Sequence, residues 1–145
     1  FHENGILKKT IAPAILNDAI KDELKLKTKK LSENLNFYGI IAIELFELVD
    51  GRIIFNEIAP RPHNSFHWTL DGCENSQFDI LIRTICGLPV KDVKCNTKWE
   101  MKNIIGDDAN NLNEIYSNQN YLLNLYGKKN IKPGRKMGHY NRQII

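Results

Sequence analysis

Nowhere in these 145 residues does an apolar run approach the roughly 18 needed to cross a bilayer, so a membrane-spanning helix is excluded. The first residues lack the basic-then-apolar order of a secretory leader. Cysteine is scarce: Cys73, Cys86 and Cys95 are odd in number and form no C-x-x-C pair. They read as reduced, structurally buried thiols of a cytoplasmic protein. Charge of either sign is not in excess. A net +3 is too mild to argue for nucleic acid by itself, and repeats and low-complexity tracts are absent. The chain opens on Phe1 rather than Met and closes in strand-like sequence, which predicts a piece of a longer protein. What is present, 42% hydrophobic and 26% charged residues, is the balance of a soluble globular domain.

Residues Gly5 to Ala14 have strand character up to Pro13. From Leu16 the spacing of Leu16, Ile20, Leu24, Leu31 and Leu35 predicts an amphipathic helix, with the Lys27–Lys30 run on its solvated face. "YGIIAIELFELVDGRIIFNEIA" places two apolar runs around Asp50-Gly51, the dipeptide of a two-residue type I′ hairpin. Glu74 to Ile85 reads as a second helix burying Phe78, Leu81, Ile82 and Ile85, stopped by Gly87 and Pro89. After a linker at Lys91 to Asn96, "KWEMKNIIG", "YLLNLYG" and "GRKMGHYNRQII" read as strands, with an Asn-rich turn or short helix between the first two. The expected fold is α+β: an antiparallel sheet with helices over residues 1–89, then a small β-rich domain over 90–145.

The hairpin allows a sharper inference. With Asp50 and Gly51 as its loop, Val49 faces Arg52 and Glu44 falls directly opposite Glu57. Like charges there are destabilising, at a Cβ separation of about 4.5–5.5 Å. Ala42, Phe46, Leu48, Ile53 and Phe55 are expected on the same face, so a shared proton, an arginine or a divalent cation must offset the repulsion. Mg²⁺ suits two carboxylates whose octahedron is completed by substrate phosphates. The alternative is a bulge that turns one glutamate to solvent.

"FNEIAPRPHNSFHWT" follows, concentrating Glu57, Arg61, His63 and Asn64 within eight positions. Arg61 offers a planar fork for carboxylate or phosphate. Pro62 argues against a helical zinc pair between His63 and His67, and further zinc ligands are not found. A second cluster lies in the tail, where Lys128 to Ile145 holds six Lys or Arg residues and no acid. Pro133-Gly134 is expected to turn the chain so that Arg135 and Lys136 start a strand. This is either a solvated basic surface or a site for phosphorylated ligands. It lacks the aromatic–basic alternation of a base-stacking surface, which disfavours a nucleic-acid-binding module.

"ELF…DGRIIFNEIAPRPHNSFHWT…SQFDILIRTICGLP" with "YGKKNIKPGRKMGH" resembles the C-terminal part of the 5-(carboxyamino)imidazole ribonucleotide synthases, ATP-grasp ligases of purine biosynthesis. The resemblance spans nearly the whole chain. Formate-dependent glycinamide ribonucleotide transformylases are similar up to "RPH" but continue with Asp-Thr where this chain has Asn64-Ser65. That family is the alternative enzyme. A noncatalytic remnant binding a phosphorylated metabolite is the alternative from another class.

The resemblance implies an ATP-dependent carbon–nitrogen ligase. ATP and bicarbonate would form carboxyphosphate, which carboxylates 5-aminoimidazole ribonucleotide. It implies Glu44 and Glu57 as ligands of Mg²⁺ on the ATP phosphates, with Asn56 in the same nucleotide-binding set. Arg61, His63 and Asn64 would line the bicarbonate and ribonucleotide pocket, and Lys128 and Arg135 would reach a phosphate or the reacting phosphoryl group. It also implies a cytoplasmic homodimer for the complete enzyme, with neither nucleic acid nor membrane as partner. Two positions depart from the family: Ala59 stands where many ATP-grasp enzymes have a metal-binding Asn, and Phe66 where Gly is usual. The lysines that grip ATP phosphates and the hinge that reads adenine would lie upstream of Phe1.

Overall fold

The structure, a computed structural model, describes residues 1–95 and 97–144. Asn96, in the expected linker, and Ile145, at the end of the expected last strand, lie outside the described residues. In chain order the elements are β1 (His2–Glu3), β2 (Ile6–Leu7), β3 (Lys9–Ala12), α1 (Asp18–Asn34), β4 (Ala42–Glu47) and β5 (Ile53–Ala59). A 3₁₀ turn (Asn64–Phe66), α2 (Thr69–Gly72) and α3 (Gln77–Ile85) follow. Then come β6 (Lys98–Ile105), a 3₁₀ turn (Gly106–Asn110), α4 (Asn113–Ser117), β7 (Leu122–Leu125) and β8 (Lys136–Ile144). Among the described residues no helix is long and apolar enough to cross a membrane.

These elements form two compact units that interleave along the chain. One contains residues 1–14, 65–76 and 93–145; the other contains 15–64 and 77–92. The compact units therefore do not follow a single cut near residue 89, because β3 hydrogen-bonds to β6 rather than to the strands that follow it in sequence.

The first unit is built on an antiparallel sheet of order β3-β6-β8-β7. Alternation along β6 and β8 puts Trp99, Met101, Asn103, His139 and Asn141 on one face. There Leu7, Ala12, Trp68, Trp99 and Met101 form the apolar core. Gly72 closes α2 against it, since a Cβ at that position would lie 2.8 Å from the Trp68 ring and 2.9 Å from that of Trp99. On the opposite face Glu100 is buried, and it needs cations there. Arg142 Nε lies 2.7 Å from its Oε1, with Lys9 and Lys102 each 3.9 Å away. That hydrogen bond raises the pKa of Arg142 further above its ordinary value.

The cysteines differ from expectation. Cys73 and Cys95 are joined in a disulfide beside the core, and the free Cys86 is exposed. The partners are 22 residues apart and are brought together only by the packing of α2 beside the segment before β6, a juxtaposition that spacing does not reveal.

The second unit contains α1, the β4–β5 hairpin and α3. The Asn17 side chain caps α1, accepting from Ala19 N at 2.8 Å. The expected stripe of α1 is only half-buried and Leu35 is exposed, so this helix contributes no buried residue. In α3 the buried residues are Gln77 and Ile80, while Phe78, Ile82 and Ile85 are exposed, the reverse of the sequence reading. Phe78, Leu81, Ile82 and Ile85 do share one face, as their spacing predicts, but the buried Ile80 and Gln77 lie off it, so what packs against the helix decides its buried side.

Candidate functional site

The β4–β5 hairpin sets Glu44 against Glu57, but by a different count from the one expected. Leu48 N donates to Arg52 O at 2.9 Å and Gly51 N to Leu48 O at 2.9 Å, so the loop has three residues, Val49 to Gly51. That shifts the register by one. A bulge at Asn56 shifts it back: Leu45 pairs with Phe55, yet Glu44 pairs with Glu57. The two irregularities cancel at the carboxylates. Between them Phe46 faces Ile54 and Leu45 faces Phe55, so Phe55 and Ile53 are not on the glutamate face as expected.

The counter-group of the two carboxylates is an imidazole. His63 Nε2 lies 3.1 Å from Glu57 Oε1 and His63 Nδ1 lies 3.5 Å from Glu44 Oε1. A ring bearing one proton can donate to only one glutamate, whereas a doubly protonated ring can donate to both. Glu44 is further held by Asn56, whose Nδ2 donates to Oε2 at 3.1 Å. The bulge thus supplies a donor as well as a register correction. One atom each from Glu44, Glu57 and His63 all lie within 4.8 Å of one another, close enough to hold a cation. Two carboxylates fit Mg²⁺; the imidazole, a poor ligand for so hard an ion, fits better as a support that orients them.

Gln77 fixes His63. Its Oε1 accepts from His63 N at 2.8 Å and its Nε2 donates to His63 O at 2.9 Å, both buried. Sequence reading missed this residue; the only signal was an amide at the start of α3. Arg61 is exposed and folds back, with Nη1 donating to Pro62 O at 3.0 Å. Asn64 opens the 3₁₀ turn and is half-buried. Glu44, Asn56, Glu57 and His63 are therefore in direct mutual contact, and Arg61 and Asn64 flank His63 in sequence.

The basic cluster belongs to the other unit and is ordered by its own carbonyls. Arg135 N donates to Lys132 O at 3.0 Å, closing the expected Pro133-Gly134 turn. Arg135 Nη1 donates to Asn130 O at 3.0 Å and Lys128 Nζ to Lys136 O at 2.5 Å. Both side chains use few of their donors this way, leaving the cations able to meet an anion.

The class is given by a family match, within which the Glu44–Glu57 hairpin lies. Residues 1–78 match the ATP-grasp domain, and the chain belongs to the ATP-grasp family. Residues 100–142 match the phosphoribosylaminoimidazole carboxylase C-terminal domain. More particularly, the chain is similar to the N5-carboxyaminoimidazole ribonucleotide synthases of Bacillus subtilis strain 168 and Brucella melitensis biotype 1. It is 42% identical to the first over 139 residues, covering 95% of this chain and 37% of that protein. To the second it is 39% identical over 141 residues, covering 97% of this chain and 39% of that protein. It also resembles the crystal structure of the synthase from Aspergillus clavatus in complex with ADP and 5-aminoimidazole ribonucleotide. There the TM-score is 0.90 at 36% identity, over 99% of this chain and 40% of that one. The chain thus spans about two fifths of the length of the curated relatives it matches.

Proposed function

We propose that this chain is the C-terminal portion of an ATP-dependent carbon–nitrogen ligase that carboxylates 5-aminoimidazole ribonucleotide with bicarbonate. The observation that carries the reading is the pairing of Glu44 with Glu57, closed by His63 from the loop that also bears Arg61 and Asn64. The likeness to the synthases supports it, and so do the matched families. We assign an ATP-grasp portion to residues 1–89 and a small β-rich C-terminal domain to 90–145, with the matches over 1–78 and 100–142 as support. The complete protein is proposed to be a cytoplasmic homodimer, as the resemblance implies.

Glu44 and Glu57 would hold Mg²⁺, which when bound neutralises ATP phosphate charge. Asn56 and His63 orient the two carboxylates, and Gln77 keeps His63 in place. Arg61 and Asn64 are assigned to bicarbonate and the ribonucleotide, Arg61 by its fork and Asn64 by its amide. His63 shares that assignment through whichever ring nitrogen the substrates engage. Lys128 and Arg135 are assigned to the ribonucleotide phosphate or the phosphoryl group in transfer. Carboxyphosphate decomposes readily in water, so these groups must combine charge stabilisation with exclusion of solvent. The test is ADP release by the full-length protein. Release requiring both bicarbonate and 5-aminoimidazole ribonucleotide is expected; release that instead follows formate and glycinamide ribonucleotide overturns the reading.

A further inference from the structure

The inward face of β8 carries two polar side chains with almost no exposure, His139 at 1% and Asn141 at 0%. Asn141 Nδ2 donates to Asp71 Oδ2 at 2.6 Å. His139 instead points Nδ1 at the Tyr126 hydroxyl, 2.8 Å away, and among the described residues its Nε2 has no hydrogen-bond partner. A buried N–H without an acceptor is costlier than a bare ring lone pair, so the proton belongs on Nδ1, donating to Tyr126 Oη. Burial depresses the His139 pKa to about 4, which keeps the ring neutral and adds no further cation to the basic cluster.

Tyr126 sits one residue past β7, where its N–H extends the ladder by donating to Met137 O at 3.0 Å. The ring is confined on another side by His67, edge-on at 6.0 Å between centroids. Over this fixed ring lies the Lys128 ammonium, 5.3 Å from the centroid. The chain doubles back to put it there through Gly127, whose φ of +66° is the left-handed conformation that costs glycine least. A cation 5.3 Å from a ring is within the range of cation–π attraction. We infer that Tyr126, anchored through its hydroxyl by buried His139, is a positioning residue that holds Lys128 ready for the anionic part of the ribonucleotide. The inference rests on the assignment of Lys128 under the proposed function and adds two residues that touch no substrate.

Two readouts on the full-length protein separate the geometry from that assignment. The first needs no substrate: the rate at which an amine-acylating reagent modifies Lys128, followed by mass spectrometry. Tyr126→Leu is expected to raise it about threefold by freeing the ammonium from the ring. The second is kinetic. Tyr126→Leu is expected to raise KM for 5-aminoimidazole ribonucleotide roughly three- to tenfold while leaving KM for ATP unchanged. Tyr126→Phe, which keeps the ring and the packing, should give a smaller rise. In a Lys128→Ala background Tyr126→Leu should add nothing, because the two act as one unit. A parental modification rate, an equal cost with and without Lys128, or equal losses for both substrates would each overturn the inference. If Lys128 becomes more reactive yet Lys128→Ala leaves both constants parental, the inference fails through the assignment of Lys128, not through the geometry.

Discussion

His139 makes the protein sensitive to acid. Its pKa is about 4 when folded against 6.5 for the free side chain, so between those values the unfolded chain binds the extra proton. Stability is therefore complete above pH 6.5 and falls as pH drops toward 4, by about 3 kcal/mol. Urea midpoints measured from pH 7.5 to 4 should show this slope, and His139→Gln should lose most of it. In the full-length protein Arg61→Ala and His63→Ala should cut ribonucleotide-dependent turnover roughly ten- to a hundredfold, with ATP affinity much less affected. Rate assays set beside nucleotide titrations check this, and parental turnover in both variants would return the loop to a structural role. The residues themselves were legible, because four polar groups crowd into eight positions of strand-and-turn sequence. Their geometry was not: that His63 reaches both glutamates depends on Gln77, fourteen residues away, gripping its backbone.

The β4–β5 hairpin shows how an element can be read correctly for an incomplete reason. Period-two alternation and the Asp50-Gly51 dipeptide are local signals, and they led to Glu44 opposite Glu57. Neither discloses a three-residue loop or a bulge, whose offsets cancel where the carboxylates meet. The apolar neighbours were misplaced by the same two offsets. Since His63 and Asn56 already relieve the pair, Glu57→Gln should change folding stability by no more than about 1 kcal/mol. It should nevertheless abolish Mg·ATP-dependent turnover of the full-length protein, because a neutral amide cannot replace the carboxylate as a ligand. Calorimetry of both proteins with a coupled ADP assay decides the matter; normal turnover would remove the metal assignment. In α3 and at the disulfide the local signal failed differently, because the buried face and the cysteine partner are chosen by neighbours remote in sequence.

At the scale of the whole molecule, the strands of the C-terminal part were readable one by one, but their sheet order was not. Nothing in "KKTIA" announces a partner some ninety residues later. The 145 residues cover about two fifths of the relatives' length, and the resemblance puts the lysines that hold ATP phosphates outside them. The isolated chain is accordingly expected to release no ADP with bicarbonate and 5-aminoimidazole ribonucleotide, while the full-length protein does. Release by the chain alone would show that the missing length is dispensable. The bond between β3 and β6 also imposes an order in time. During synthesis Lys9–Ala12 leaves the ribosome long before Lys98–Ile105, and β8 later still. With synthesis at about 5–20 residues per second, β3 waits roughly 5–20 s as an unpaired edge. A chain stalled near residue 97 would present that edge, with Ile11 and Ala12, to chaperones and to other nascent copies. For this unit, folding begins in earnest only once β6 and β8 have both been made.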